Sequence, residues 1–343
     1  MKKCLIHYFT GTGNTYHLIK SLENRLKEKG YEVRLISIEK SVEKAGKSIE
    51  KNGEKHNGKH NEKYHEPDSL HIFAFPVYGF GTPRIMVKYL KNLESVNDSK
   101  AVVLCTSGGF EGQALTHVHS LLKKKGFTIV YRDMLQYTYN WTQVINPQSK
   151  QTEENVFAAC SNKIVDVVNN IEAGIPFYKK QNIIAVGISW IVYFLYTNFG
   201  RKILGKTFIS DSSCNGCGLC QNVCPAGVIK LRKKRPQWNS RCEGCQRCIN
   251  ICPKKSIQLS VGKLFLFLIA TVIPIFMVVK MPVFQGFPVI INILLCCLLI
   301  FVATIAFNYL IFILEKIKVI RRIFQLSYTK KYRRNLAKGF RIE

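Results

Sequence analysis

One cysteine spacing occurs twice in this chain, as CNGCGLCQNVCP (Cys214–Pro225) and as CEGCQRCINICP (Cys242–Pro253). In each run two residues separate the first three cysteines from one another, and a fourth cysteine follows after three intervening residues, directly before a proline. This spacing holds pairs of 4Fe-4S clusters, and the fourth cysteine of each run then ligates the other cluster. The predicted ligand sets are Cys214, Cys217, Cys220 and Cys252 for cluster 1, and Cys242, Cys245, Cys248 and Cys224 for cluster 2.

Zinc is the alternative metal for these cysteines, because Cys-x-x-Cys pairs also form zinc sites. A zinc site closes with four ligands and needs neither a third closely spaced cysteine nor a Cys-Pro ending. Thiolates are soft donors that suit iron–sulfur clusters. Glycines 216, 218 and 244 also suit loops whose amide groups turn toward sulfur. The pattern therefore favours two cubane clusters over zinc.

The N-terminal half alternates apolar strand-like runs with helix-like segments, which indicates a parallel α/β sheet. The predicted strands are Lys3–Phe9, Tyr31–Ser37, Leu70–Pro76, Ala101–Thr106 and Phe127–Leu135. The predicted helices are Thr15–Lys29, Pro83–Leu93, Gln113–Lys125 and Glu153–Glu172. Five strands with four crossovers are typical of the flavodoxin-like doubly wound order, in which a ligand binds beyond the carboxyl ends of the strands.

The first predicted strand runs into a short loop of glycines and hydroxyl residues and then directly into a helix. The candidate ligand residues of this loop are Thr10, Thr12, Gly13, Asn14 and Thr15. Backbone N–H groups and hydroxyls at the N-terminus of a helix suit a phosphate. The lysine of a nucleoside-triphosphate loop is missing, so triphosphate hydrolysis is disfavoured.

Two further loops follow the third and fourth predicted strands. We expect them to lie near the ring of a ligand whose phosphate is held by the first loop. Their candidate residues are Pro76, Val77, Tyr78, Gly79 and Phe80 in the first, and Ser107, Gly108 and Gly109 in the second. We expect Tyr78 and Phe80 to stack on an isoalloxazine face, and the free backbone groups at the glycines to bind its polar edge. The alternative is that both aromatic residues are ordinary loop side chains.

Together, the FTGTGNT, PVYGFGTP and CTSGG segments and the paired cysteine runs resemble the flavodoxin–ferredoxin fusion proteins of anaerobic bacteria (EFR-type ferredoxins). The resemblance covers about Met1 to Leu259. It implies FMN in the first domain, two 4Fe-4S clusters in the second, and a role in electron transfer. The chain departs from this family in the polar insertion Ser41–Pro67 and in everything after Val261. The composition of the insertion is typical of a solvated segment.

Two apolar segments follow the cysteine runs. Leu264–Val279 contains sixteen residues without a charge, and Phe287–Leu314 contains twenty-eight. At ~1.5 Å per residue, the second easily crosses the ~30 Å hydrocarbon core and the first just does. Lysines and arginines flank both outer ends, so the positive-inside rule places the clusters and the tail in the cytoplasm. A buried or re-entrant helix is the alternative for the first segment.

A third apolar run, of fourteen uncharged residues, lies within Asn182–Gly200, between the two redox domains. This length is typical of a buried or interfacial helix rather than of a membrane span. If the run crossed the membrane, FMN and the clusters would lie on opposite sides. We therefore expect a helix that packs on the protein or lies at the membrane interface.

The charge of the chain is strongly positive, with 50 Lys and Arg against 22 Asp and Glu. Ten of the basic residues lie in Lys316–Arg341, which contains no acidic residue and directly follows the long apolar segment. We expect this tail to bind anionic lipid headgroups rather than nucleic acid. The residues singled out for this contact are Lys330, Lys331, Arg333 and Arg334. A solvated tail without a function is the alternative.

The predicted organisation is a flavodoxin-like FMN-binding domain (1–175, with the insertion at 41–67), a linker with an apolar helix (176–204), a two-cluster ferredoxin domain (205–260), a transmembrane segment, expected as a helical hairpin (261–315), and a basic cytoplasmic tail (316–343). No nucleophile or acid–base pair marks a catalytic residue. The favoured function is a multi-pass membrane protein that passes electrons to or from a redox partner protein. The alternatives are a flavin-dependent oxidoreductase acting on a small molecule or a quinone, and a redox sensor without flavin.

Overall fold

The computed structural model describes residues 2–39, 69–96, 98–281, 284, 286–337 and 339–340. The predicted insertion Ser41–Pro67 lies outside the described residues.

Six parallel strands form one sheet in the order β2-β1-β3-β4-β5-β6. Their bounds are β1 (Lys2–Tyr8), β2 (Tyr31–Ser37), β3 (Leu70–Pro76), β4 (Ser99–Ser107), β5 (Phe127–Gln136) and β6 (Phe177–Tyr178). The order confirms the predicted flavodoxin-like doubly wound fold. Strand β6 was not predicted from the sequence, because an exposed edge strand of two residues is too short to show an alternating apolar pattern.

Four helices cover the two faces of this sheet. Their bounds are α1 (Asn14–Glu28), α2 (Arg84–Asn92), α3 (Ala114–Lys123) and α4 (Lys150–Glu172). Helices α1 and α4 share one apolar core with strand β1, and α2 and α3 share a second core on the opposite face. Strand β3 is buried at six of its seven residues, as expected for a strand covered on both sides. We call residues 2–178 the sheet domain.

One long helix leads away from the sheet domain. It consists of α5 (Ile183–Leu195), a π-helical turn (Tyr196–Gly200) and α6 (Arg201–Thr207). The hydroxyl of Tyr193 donates to the carbonyl of Thr82 at 2.7 Å. The guanidinium of Arg201 donates to the carbonyl of Cys242 at 2.8 Å. The helix therefore contacts both halves of the protein.

Residues 208–260, called the cysteine domain here, contain two small antiparallel sheets. Strand β7 (Phe208–Ser210) pairs with β10 (Ile257–Leu259), and β8 (Ile229–Arg232) pairs with β9 (Arg235–Trp238). Two short helices, α7 (Leu219–Asn222) and α8 (Arg247–Ile251), lie inside the two cysteine runs.

Two apolar helices follow, α9 (Val261–Lys280) and α10 (Val289–Leu314), and then a short helix α11 (Lys318–Phe324). An ion pair between Lys263 and Glu315, at 2.5 Å, joins the ends of α9 and α10 beside the cysteine domain. Both helices are long and apolar enough to cross a membrane. The helix from Ile183 to Thr207, 25 residues long, meets the same criteria. The run of fourteen uncharged residues predicted a helix too short to be typical of a membrane span. The observed helix is longer, because the π-helical turn and α6 continue it beyond those residues.

Candidate redox site

The structure brings the last cysteine of the second run to the first run. Burial, followed by the charges of Cys252, Cys214 and Cys217, raises the pKa of the Cys220 thiol to about 11. Cys217 is exposed and the other three side chains are partly buried. These four are the predicted ligands of cluster 1.

The second group of thiols has the reciprocal arrangement. Burial, followed by the charges of Cys242 and Cys245, raises the pKa of the Cys248 thiol, and Cys224 from the first run contributes in the same direction. Burial also raises the pKa of Cys242 to about 12. These four are the predicted ligands of cluster 2.

The donor set fits an iron–sulfur cluster. Thiols that raise one another's pKa lose their protons only when a cation is bound, and cluster iron supplies that charge. The backbone N–H of Gly244 donates to Cys242 Sγ at 3.4 Å, and that of Val228 to Cys224 Sγ at 3.5 Å. Among the described residues, no three His, Cys, Asp or Glu side chains surround a single metal position. Each ligand of a cubane binds a different iron, so cubane ligands need not meet at one point. Ligation by the individual cysteines stays a prediction.

The predicted phosphate loop lies between β1 and α1, at the carboxyl edge of the sheet. Gly13 has a φ of 109°, which favours glycine, and its N–H donates to the hydroxyl of Thr10 at 3.1 Å. The N-cap residue of α1 is Gly13, which has no side chain that could cap the helix. The amide groups of the first turn thus remain for a phosphate. The hydroxyl of Thr15 bonds that of Thr106 at 2.8 Å, which ties the loop to β4.

Polar atoms at three loops of this edge are buried without a hydrogen-bond partner among the described residues. They are Asn14 Oδ1 in the phosphate loop, the hydroxyl of Tyr78 after β3 and the hydroxyl of Thr138 after β5. Buried polar atoms are nearly always paired in folded proteins. Their position around the phosphate loop fits the binding of a polar cofactor such as FMN.

Three aromatic side chains lie at the loop that follows β4, and all are exposed: Phe80, Phe110 and Tyr139. The ring centres of Phe80 and Phe110 are 5.6 Å apart. Gly108 and Gly109 lie on the surface beside them. Exposed aromatic rings next to free backbone groups suit an isoalloxazine. Of the two predicted stacking residues, Phe80 is therefore available.

Tyr78 and Gly79 have other neighbours. A Cβ on Gly11 would lie 2.3 Å from the hydroxyl of Tyr78 and 2.7 Å from the carbonyl oxygen of Cys245. Tyr78 is therefore placed between the phosphate loop and the second cysteine run, not on an open face. A Cβ on Gly79 would lie 2.3 Å from the ring of Tyr196. The close approach of the long helix explains why residue 79 is glycine. Flavin contacts by Tyr78 and Gly79 stay predictions. Pro76 ends β3, and the N–H of Val77 donates to the carbonyl of Thr106 at 3.0 Å.

Arg247 connects the second cysteine run to the phosphate loop. Its side chain is buried, and its guanidinium donates to the carbonyl of Gly11 at 3.0 Å and to that of Thr10. It also donates to the carbonyl of Val223 at 2.9 Å and pairs with Glu39 at 2.6 Å. The predicted ligands of cluster 2 thus lie on the side of the cysteine domain that faces the predicted phosphate loop.

Two glutamines extend this contact. Gln246 Oε1 accepts a hydrogen bond from the N–H of Gln143 at 3.1 Å, and Gln246 Nε2 donates to Gln143 Oε1 at 3.2 Å. Sequence reasoning did not identify Arg247, Gln246 or Gln143. One signal was available: Gln246 and Arg247 stand where the first run has Gly218 and Leu219.

The basic tail packs along the seam between the two domains. The N–H of Ala337 donates to the carbonyl of Thr12 at 2.9 Å. Lys330 pairs with Asp211 at 2.7 Å and Arg333 with Glu153 at 2.9 Å, and Arg334 donates to the carbonyl of Ile257 at 3.1 Å. Three of the four residues predicted to meet lipid headgroups thus have protein partners here. Lipid binding by the tail stays a prediction.

Comparison with known proteins gives a family match in the cysteine domain and similar solved structures for the sheet domain. Residues 213–257 match the protein-family model of a 4Fe-4S dicluster domain. No curated protein shows significant similarity to the chain. The sheet domain is similar to flavodoxin 2 from Bacillus cereus (17% identity, 49% of this chain and 99% of that chain, TM-score 0.33). It is also similar to a flavodoxin from the domain Archaea (13% identity, 50% of this chain and 99% of that chain, TM-score 0.31). The chain thus combines a sheet domain with the flavodoxin-like strand order and a segment that matches a 4Fe-4S dicluster domain.

Proposed function

We propose that the chain is a membrane-tethered electron-transfer protein that passes electrons between FMN, two 4Fe-4S clusters and a redox partner protein. The observation that carries this proposal is the contact between the second cysteine run and the phosphate loop. Arg247, which directly precedes the predicted cluster 2 ligand Cys248, donates to two carbonyls of that loop. The two predicted cofactor sites therefore share one interface.

The residues of the sheet domain have distinct roles in this proposal. The uncapped first turn of α1 and the hydroxyls of Thr10, Thr12 and Thr15 hold the phosphate. Phe80 and the exposed aromatic side chains near Gly108 cover the ring and exclude water. When bound, FMN exchanges one or two electrons and each cluster exchanges one.

The two cysteine groups differ in their exposure to solvent. This difference indicates which cluster lies nearer the flavin and which lies nearer the protein surface. Cluster 2 is predicted at the domain interface, where Cys242 and Cys248 are buried. Cluster 1 is predicted at the surface, where Cys217 is exposed. A partner protein therefore exchanges electrons at cluster 1.

Cofactor content tests this proposal. The protein is purified from membranes without oxygen, and iron, sulfide, zinc and flavin are measured together with the EPR spectrum of the reduced sample. We expect about eight iron atoms and about one FMN per chain. Zinc with little iron, or a colourless sample that is silent in EPR after reduction, would overturn the proposal.

The membrane anchor is a hairpin of α9 and α10 in this proposal, with the redox domains in the cytoplasm. Lys263, Glu315 and the basic residues of α11 lie at the domain end of the hairpin. The positive-inside rule assigns that end to the cytoplasm. A reporter enzyme fused after Glu343 should be active on the cytoplasmic side, and labelling from outside would contradict the hairpin.

A further inference from the structure

The long helix exposes a continuous apolar stripe. Ile184, Ile188, Ile191 and Leu195 are 74%, 57%, 63% and 52% exposed. Their spacing of four, three and four residues places them on one face of α5. A soluble protein rarely leaves such a stripe in water.

The opposite face of the same helix is fixed to the sheet domain. Ser189 and Tyr193 are buried, and Tyr193 bonds the carbonyl of Thr82. The ring of Trp190 lies 4.8 Å from that of His117 on α3. The helix therefore has one face on protein and one without a described partner, although its sequence is apolar on every side.

This helix does not cross a membrane, although its length would allow it. The domains before and after it are in direct contact through the Arg247 and Gln143 hydrogen bonds. Both ends of the helix are thereby held on the same side of a bilayer.

The stripe is continuous with the hairpin that the proposed function places in the membrane. The ring of Phe199, in the π-helical turn, meets that of Phe301 on α10 at 6.3 Å. Ile203 packs against the cluster of Phe267, Ile311 and Phe324. One apolar surface thus extends from the hairpin onto the long helix.

We infer that the apolar face of α5 is a membrane-surface anchor that lies in the leaflet nearest the redox domains. This inference rests on the proposed membrane hairpin and adds a second point of attachment to it. The exposed side chains of Lys180 and Lys202 flank the helix at both ends, which suits the anionic headgroups beside an interfacial helix.

The anchor holds the second cysteine run at the membrane surface. The hydroxyl of Tyr196 donates to the carbonyl of Glu243 at 3.4 Å, and Arg201 donates to that of Cys242. The predicted site of cluster 2 therefore lies one helix away from lipid.

Photo-crosslinking of the full-length protein in vesicles of phosphatidylethanolamine and phosphatidylglycerol tests the anchor. The photoreactive residue p-benzoylphenylalanine replaces one exposed phenylalanine at a time. Phe194 on α5 is 60% exposed, Phe276 on α9 is 63% exposed, and Phe177 on β6 is 40% exposed. We expect lipid adducts at Phe194 and at Phe276, and none at Phe177.

Three other outcomes of the crosslinking experiment would overturn the anchor. Lipid adducts at Phe276 without any at Phe194 overturn the anchor and leave the hairpin in place. Adducts of Phe194 to a second copy of the chain assign the stripe to a protein interface and also overturn the anchor. No lipid adduct at either position overturns the membrane tether itself, and the anchor with it. As a second measurement, Ile188→Glu combined with Ile191→Glu should reduce the Phe194 adduct by about tenfold or more. An unchanged adduct in that variant would contradict the anchor.

Discussion

The two cysteine runs share their spacing but lie in opposite surroundings. The first run carries Gly218 and Leu219 between its second and third cysteines, and its Cys217 is exposed. The second run carries Gln246 and Arg247 at the same places, and both are buried against the sheet domain. The spacing therefore determines the ligand loop, while two intervening side chains determine what the loop faces.

The backbone of the two runs supports this comparison. Gly218 has a φ of 79° and Gln246 has a φ of 61°, so both occupy the left-handed region at the same step of the loop. Glycine adopts it without strain, whereas a side chain there costs about 1 kcal/mol or more. In the second run, the hydrogen bonds of Gln246 to Gln143 and to the carbonyl of Gly244 offset that cost.

The largest expected effect comes from removing equivalent ligands in the two runs. Cys217→Ser should remove or alter the exposed cluster and leave flavin-driven reduction of the other intact. Cys245→Ser should stop reduction of both clusters by the flavin, because the centre nearest the phosphate loop is lost. EPR after photoreduction of the flavin measures both effects. Rapid reduction of the remaining cluster in the Cys245 variant would refute this order of the centres.

Exchange of the two intervening residues comes next in size. The pair Gln246→Gly and Arg247→Leu gives the second run the residues of the first. It leaves Glu39 and three backbone carbonyls without their cation, so we expect a loss of about 3–5 kcal/mol in the free energy of unfolding. Urea titration of the protein in detergent micelles measures this loss.

The reciprocal exchange is the control for that prediction. Gly218→Gln with Leu219→Arg places the same side chains in the exposed run, where we expect a loss of only about 1 kcal/mol, from the left-handed backbone at position 218. Equal losses in the two exchanges would show that the runs do not differ as described.

A smaller effect is expected at the glutamine pair. Gln143→Ala and Gln246→Ala should each cost about 1–2 kcal/mol, because each leaves a buried amide unpaired. The double variant should cost less than the sum of the two, and a double-mutant cycle measures the difference. Gln221 of the first run bonds the N–H of Leu231 at 2.9 Å at the surface, so Gln221→Ala is the matched control. Strict additivity would contradict a direct interaction across the domains.

The smallest effect concerns His117 on α3, whose ring packs against Trp190 of the long helix. Burial, followed by the charge of Lys91, lowers the pKa of His117 to about 4. Unfolding raises this pKa toward its ordinary value near 6.5. Because the unfolded chain then binds the proton more readily, stability should fall as the pH decreases from about 6.5 to about 4.

We expect this loss to be about 1–2 kcal/mol, since the imidazole keeps some contact with solvent. His117→Gln removes the titrating group, so this variant should show a flatter pH dependence in the same urea titration. The same slope in both proteins would remove His117 as the cause.

The parts of the fold that depend on local pattern were predictable. Alternating apolar runs located strands β1 to β5, and the cysteine spacing located the segment that matches a 4Fe-4S dicluster domain. Strand β6 was missed because two residues carry no periodicity. The length of the linker helix was missed because the π-helical turn at Tyr196–Gly200 continues a helix that composition alone would end.

Contacts between distant segments were not predictable. Arg247 appears in the sequence as one basic residue in a very basic chain, and only the packing of the two domains gives it carbonyl partners. The protein contacts of the tail were not predictable for a similar reason. Arg333 has no local pattern that distinguishes a headgroup from Glu153, and lipid binding by the tail stays a prediction.

The hydrogen bond between Ala337 and Thr12 has a consequence for biosynthesis. Ala337 follows both apolar helices, and Thr12 lies in the loop between β1 and α1. That loop gains this bond only after α9, α10 and α11 have been translated. Completion of the predicted phosphate loop therefore depends on synthesis of the tail, and a chain truncated before Ala337 would lack this contact.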